Sequence, residues 1–239
     1  MDTLTAFGII GLAALIHASF QLGVSMVTLL SGHSTGKKLA ARRTLRLVGS
    51  FLLGTIVMTA LIISTLSDIA GVAFRHSTPA TVWGVLAGIM IVVGLVVWIC
   101  YYRRGPGTLL WIPRGLAKFL SRRIHATSNS AEAFSLGLTS VITELLFIIV
   151  PAATAALAIV GLPLPLQLAG AGAYTLIASL GMLLITALIG SGHNISHLQQ
   201  WRETNKRFLQ FAGGSALIVL AFYVYVNLVV TPVVVARIG

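Results

Sequence analysis

Long apolar runs separated by short basic segments dominate the pattern of this 239-residue chain. Six runs are each about 20 residues or longer, the length that an α-helix needs to cross a hydrocarbon core of about 30 Å. They cover residues 5–30, 47–70, 80–102, 133–160, 165–190 and 208–231. The pattern therefore predicts an all-α integral membrane protein of six transmembrane helices, built as a single membrane domain over 1–239.

The distribution of charge predicts how these helices are oriented. Only 9% of the residues are charged, against roughly 25% in soluble domains, and 57% are hydrophobic. Of the 16 Lys and Arg residues, 14 follow the first, third and fifth runs. The positive-inside rule then places these three segments in the cytoplasm and both termini outside. Topology thus accounts for the net charge of +11, and we expect no nucleic-acid partner but a bacterial inner membrane location.

The basic segment at 103–130 combines cations with apolar side chains at near-helical spacing, as in Trp111, Phe119, Arg114 and Lys118. Such a pattern is typical of an amphipathic helix on the membrane surface, whose cations meet anionic lipid heads. A regulatory segment or a docking site for a partner is the alternative. We interpret it as a cytoplasmic linker between two halves of the protein.

A weak internal repeat relates these halves. Residues 11–17 (GLAALIH) can be aligned with residues 137–143 (GLTSVIT), near the start of the first and fourth runs. Those two runs cross the membrane in opposite directions in the predicted topology. The alignment therefore predicts two inverted three-helix repeats, about 5–102 and about 131–231, an arrangement that recurs in secondary transporters with the binding site between the repeats.

Two titratable side chains lie near mid-membrane in the predicted helices, Glu144 in the fourth run and His17 in the first. A charged acid there costs roughly 2.5–3.5 kcal/mol, so Glu144 is a functional candidate. It is expected to be protonated, to face a wet cavity, or to meet a partner such as His17. A neutral Glu144 that only joins helices by hydrogen bonds is the structural alternative.

Further polar side chains extend this candidate path. Gln21 and Ser25 continue the helix face of His17, and Thr139 and Thr143 lie within two turns of Glu144. The two helices could line a shared hydrated path for a substrate or ion. The same hydroxyl and amide groups could instead form interhelical hydrogen bonds without any transport.

Two other features are weaker candidates. Pro151 predicts a helix break in the fourth run, because proline donates no backbone hydrogen bond and discontinuous helices often mark transporter sites. His193 and His197 would share a helix face and could bind a metal together with His33. No carboxylate with recognisable spacing completes such a site, and surface or helix-capping histidines are the alternative.

The segments 84–90 (GVLAGIM) and 206–218 (KRFLQFAGGSALI) resemble the LysE superfamily, in particular its CcdA/DsbD-like branch, over nearly the whole chain. The thiol-reductant conduits of that branch use a Pro-Cys motif in the first helix of each half. Here the matching segments read LIHASF (15–20) and ITELLF (142–147), and Cys100 is the only cysteine. The resemblance therefore implies an exporter of amino acids or metal cations rather than a conduit for thiol electron transfer.

These observations predict a transporter, expected to be an exporter, of a small amino acid or cation with a His/Glu-lined central path. A non-transporting subunit or scaffold that binds lipid or a partner membrane protein is the alternative. No phosphate loop, nucleophile elbow or zinc helix motif is present, so we expect neither an enzyme nor a cofactor. The expected partners are membrane lipids and a small solute or ion, with a homo-oligomer left open.

Overall fold

The computed structural model describes residues 1–20, 38–74, 78–100, 127, 129–191, 200–201 and 204–238. Within these ranges the chain is helical apart from caps and short turns, and it contains no strand. The elements are α1 (Thr3–Ser19), α2 (Lys38–Ala73), α3 (Ala80–Cys100), α4 (Ser130–Val160), α5 (Leu164–Gly190), α6 (Lys206–Tyr225), a π-helical turn (Val226–Val230) and α7 (Thr231–Ile238).

Among the described residues, five helical stretches are long and apolar enough to cross a membrane: α2, α3, α4, α5, and α6 together with the π-helical turn and the start of α7. Helix α1 is apolar but has 17 residues in the described part, about 25 Å of helix, and residues 21–30 of the first predicted run lie outside that part. The prediction of an all-helical, multi-pass membrane protein is confirmed at this level.

Local sequence signals fix the starts of α1 and α4. Asp2 caps α1 by accepting a hydrogen bond from the backbone N–H of Thr5 at 3.0 Å. Hydrogen bonds from Thr5 hold the pKa of the Asp2 carboxyl below its ordinary value. Asn129 and Glu132 form a capping box at α4, each side chain accepting from the other's backbone N–H. These caps satisfy backbone donors that a helix start otherwise leaves unpaired.

Helices α2 and α4 share the most extensive helix–helix contact, and they cross at two glycines. A Cβ atom built on Gly54 would collide with the carbonyl oxygen of Phe134, and one built on Gly137 would collide with that of Phe51. Small residues allow such backbone approach between membrane helices, where close packing drives association. Gly54 and Gly137 therefore set how closely α2 and α4 approach each other.

Helices α3 and α6 form a second glycine-mediated pair. A Cβ on Gly94 would lie 2.8 Å from the carbonyl oxygen of Gly214. Beside this crossing, Trp98 Nε1 donates to the carbonyl oxygen of Phe211 at 3.0 Å and the two rings stack. Gln210 Nε2 donates back to the carbonyl oxygen of Trp98 at 2.7 Å. The two helices are thus joined by close backbone contact and by reciprocal hydrogen bonds.

The helices of the first half, α1 to α3, pack on those of the second half, α4 to α6, rather than on each other. The substantial contacts between the described segments are α2 with α4 and α5, α3 with α6, and α1 with α4, α5 and α6. Met1 lies beside Gly161 at the end of α4 while His17 lies beside Glu144, so α1 and α4 are antiparallel. The two halves are interlocked.

The predicted helix break at Pro151 is wrong, because α4 continues through this residue to Val160. Pro151 is buried, and the turn that follows it contains the fully buried Ala152, Ala155 and Ala156. Neighbouring helices that pack closely around such a turn allow a proline inside a membrane helix.

Candidate functional site

Three helices bring titratable side chains together inside the bundle: His17 from α1, Glu144 from α4 and Tyr174 from α5. Each of these residues is only 1% exposed. His17 Nδ1 lies 3.0 Å from Tyr174 Oη, within hydrogen-bond distance. On the other side of the ring, His17 Nε2 lies 3.9 Å from Glu144 Oε2. The imidazole therefore stands between a phenol and a carboxyl group.

The local structure of each helix explains this arrangement. Glu144 lies midway along α4, and its buried face continues through Val141 and Ile148. Helix α5 approaches α1 through small residues, since a Cβ on Gly170 would lie 3.3 Å from the side chain of Ile10. That close approach lets Tyr174, one turn further along α5, reach the ring of His17.

The distance between His17 and Glu144 defines what the pair can do chemically. At 3.9 Å the two atoms are too far apart for a direct hydrogen bond, and they form an ion pair only when the imidazole is protonated. His17 Nε2 has no hydrogen-bond partner among the described residues. In a low-dielectric interior, opposite charges on the two groups stabilise each other, whereas a single net charge is costly. The pair therefore favours states without net charge, with either both groups neutral or an imidazolium beside a carboxylate.

Comparison with known proteins gives no relative for this chain. No protein-family model matches it, and no match was found among curated proteins or solved structures. The resemblance to the LysE superfamily stays a prediction. The functional evidence lies in the buried His17, Glu144 and Tyr174.

The two predicted threonines of α4 are arranged differently from the expectation of an open polar path. Thr139 donates to the carbonyl oxygen of Ser135 at 2.9 Å, and Thr143 donates to that of Ser140 at 2.6 Å. Both side chains are half-buried. Their hydroxyl protons are thus used within their own helix, and only their oxygen lone pairs are available to a substrate or ion.

Several predicted residues fall outside the part of the chain that the structure describes. These are Gln21 and Ser25 of the polar stripe, the weak metal candidates His33, His193 and His197, and most of the basic linker at 103–130. Among the described residues, no group of three or more His, Cys, Asp or Glu side chains could hold a metal ion.

Sequence reasoning missed Tyr174, although a signal was present. It is the only aromatic residue in the fifth apolar run, and it follows a segment of alternating glycine and alanine at 169–173. Buried tyrosine hydroxyls usually find a hydrogen-bond partner, so a single tyrosine in the middle of an apolar run indicates a polar group on a neighbouring helix. Thr59 and Ser179 were also missed; both are fully buried, and neither hydroxyl has a hydrogen-bond partner among the described residues.

Proposed function

We propose that this chain is a membrane transporter, an exporter of a small amino acid or cation, whose central path passes the His17–Glu144 pair. The observation that carries the proposal is the meeting of these two side chains, 3.9 Å apart and buried, between helices of opposite halves. Ionisable groups at such depth are expensive and mark substrate or proton pathways in membrane proteins.

The helix pairing supports two inverted three-helix repeats and six membrane spans. In two such repeats, α1 corresponds to α4, α2 to α5 and α3 to α6. The contact of α1 with α5 then corresponds to the contact of α4 with α2, and both are present. Three further contacts each join two corresponding helices, as the symmetry requires: α1–α4, α2–α5 and α3–α6. This is the pattern expected for repeats related by an axis in the membrane plane, with the binding site at their interface. His17 and Glu144 meet at the first of these contacts, between α1 and α4.

Charge supports the orientation and the location. The described contacts show that successive helices run in opposite directions. Helices α1, α3 and α5 therefore end on the side where α2, α4 and α6 begin. The connections on that side, together with the first turns of α2 and α6, hold 14 of the 16 Lys and Arg residues. By the positive-inside rule this side is cytoplasmic, both termini are outside, and a bacterial inner membrane fits. The outward direction of transport comes from the resemblance to the LysE superfamily.

The proposed mechanism uses protonation of the pair to control access. With Glu144 ionised and His17 neutral the site carries one negative charge, which favours a hydrated or cation-binding state. Addition of one proton makes the site neutral overall and lowers the cost of burying it. A substrate that binds one state better than the other then shifts the equilibrium between states, which couples its movement to that of the proton.

The test compares two Glu→Gln variants of the same helix in proteoliposomes. Vesicles with an internal pH dye are loaded with one member of a panel of small amino acids and divalent cations, and flux of cargo and protons is followed. Glu144→Gln removes the titrating carboxyl group and should reduce coupled flux more than tenfold. Glu132→Gln, at the exposed start of α4, is the matched control and should keep full flux, since Gln also serves in a capping box.

The outcomes are distinct. Flux in the native chain and in Glu132→Gln that is lost in folded Glu144→Gln supports the transporter. Full pH-dependent flux in Glu144→Gln contradicts the role of the pair. Absence of flux for every cargo, from protein that elutes as a single folded species, favours the non-transporting subunit or scaffold, for which co-purification of a partner membrane protein is the next measurement.

A further inference from the structure

We propose that Tyr174, His17 and Glu144 form a proton relay, in which the Tyr174 hydroxyl orients the His17 ring and the coupling ion of the transporter is H⁺. This inference rests on the proposed function, in which cargo is coupled to protons, and deepens it by assigning a positioning residue to the proton site. Its basis is geometric: Oη of Tyr174 lies 3.0 Å from Nδ1, so Nε2 on the far side of the ring is directed at Glu144 Oε2, 3.9 Å away.

The donor set favours a proton over a metal cation. A divalent cation bound through one nitrogen and one oxygen at about 2.0–2.2 Å brings these atoms within about 2.9–3.5 Å of each other and usually has at least three protein ligands. His17 Nε2 and Glu144 Oε2 are 3.9 Å apart, and the described residues offer no third His, Cys, Asp or Glu beside them. A proton needs only one acceptor, an imidazole nitrogen, and its binding does not require Nε2 and Oε2 to lie closer than 3.9 Å.

The role of Tyr174 follows from where the protons are held in each state of the site. In the state with one net negative charge, Glu144 is ionised, Nε2 carries the ring proton and faces the carboxylate, and the Tyr174 hydroxyl donates to Nδ1. When one proton enters from water and binds Nδ1, the ring becomes imidazolium, and Nδ1–H now donates to Tyr174 Oη. The hydroxyl only rotates from donor to acceptor. Release of the same proton to water on the other side restores the first state, and no covalent bond other than the N–H bond changes.

Other titratable groups on the helices packed against α1 lie further away. Glu132 is exposed and 12 residues before Glu144 on α4, about 18 Å of helix, and Tyr223 of α6 lies against Gly8, about 13 Å along α1 from His17. The remaining ones are Asp2 at the start of α1, Lys206 and Arg207 at the start of α6, and the exposed Tyr225. Among the described groups, Glu144 and Tyr174 are therefore the two that set the protonation of His17.

The test replaces Tyr174 by Phe in the full chain, reconstituted in lipid nanodiscs with ¹⁵N-labelled histidine. Imidazole ¹⁵N shifts report the tautomer and the protonation of His17 directly, and His17→Asn assigns the signal. Wild type should show Nε2–H as the dominant neutral tautomer with a hydrogen-bonded Nδ1. Loss of this hydrogen bond in Tyr174→Phe should change the tautomer ratio by about 2- to 10-fold. Thr175→Val is the matched control, since its hydroxyl donates to Ala171 in its own helix, and it should leave the signal unchanged.

Transport supplies the second readout. In Tyr174→Phe, the pH at half-maximal flux should shift to the acid side by about half a unit or more, because a hydrogen bond to imidazolium is stronger than one to the neutral ring. A tautomer ratio and pH profile equal to those of Thr175→Val would overturn the relay. Cargo flux without accompanying proton flux would also overturn the relay, although the proposed transporter would be retained. Titration of His17 that depends on Tyr174, without flux of any cargo, would keep the proton-binding trio and refute the transporter.

Discussion

The crossing of α2 and α4 at Gly54 and Gly137 can be tested by adding a single methyl group. In Gly137→Ala the new Cβ would collide with the carbonyl oxygen of Phe51, which is backbone and cannot rotate away. Ordinary contact requires the helices to separate by about 1 Å, and a gap of that size forfeits a quarter to a half of the dispersion energy of each contact. Because this is the most extensive helix contact in the described chain, we expect a loss of about 2–3 kcal/mol in unfolding free energy.

The assay is reversible unfolding in mixed micelles with increasing SDS, followed by circular dichroism. Gly49→Ala is the matched control on α2, because a Cβ there meets nothing within 4 Å. It should be neutral or stabilising by up to about 1 kcal/mol, since alanine favours helix over glycine. The double variant Gly54→Ala/Gly137→Ala should lose less than the sum of the single losses, because one separation of the helices accommodates both methyl groups.

A Gly137→Ala protein as stable as Gly49→Ala would refute the reasoning. It would mean that the two backbones are not in direct contact at this crossing. A full additive loss in the double variant would also contradict it, because the two glycines would then act at independent places.

Two further stability predictions use polar side chains of the helices. Thr59→Val should be neutral or stabilising by up to about 1 kcal/mol, because the buried hydroxyl of Thr59 has no partner among the described residues. Thr55→Val should lose about 0.5–1.5 kcal/mol, because it removes the hydrogen bond from Thr55 to the carbonyl oxygen of Phe51. Equal effects of the two changes in SDS unfolding would contradict this. Gln210→Leu should lose about 1–2 kcal/mol, because its amide donates at 2.7 Å to carbonyl oxygens in the last turn of α3, and an unchanged unfolding curve would argue against those bonds.

The helical architecture was predictable because a bilayer leaves the chain few choices. Long apolar runs must satisfy their backbone internally, so each run indicates a helix from its length alone. The boundaries were less predictable. Helix α2 begins at Lys38, well before the predicted start of the run at residue 47, because Arg and Lys are good helix formers and tolerate the interface.

The candidate site was predictable in part. A Glu and a His in otherwise apolar runs stand out because burial of each is costly, and the weak alignment of residues 11–17 with 137–143 brought them to similar depth. Tyr174 could not be assigned in the same way, since its role depends on which helix faces α5. The helix break predicted at Pro151 was wrong, because the local preference of proline against a helix is outweighed by the packing around it.

The interlocking of the two halves has a consequence for how the protein is made. Gly214 leaves the ribosome 120 residues after Gly94, which at about 5–20 residues per second is a delay of about 6–24 s. Until α4 and α5 are made, α1 and α2 lack the helices they pack on, and for the whole of that delay α3 lacks α6, so Trp98 has no acceptor there. Ribosome stalling between the halves would therefore leave a fragment with little tertiary structure, a ready substrate for membrane quality-control proteases.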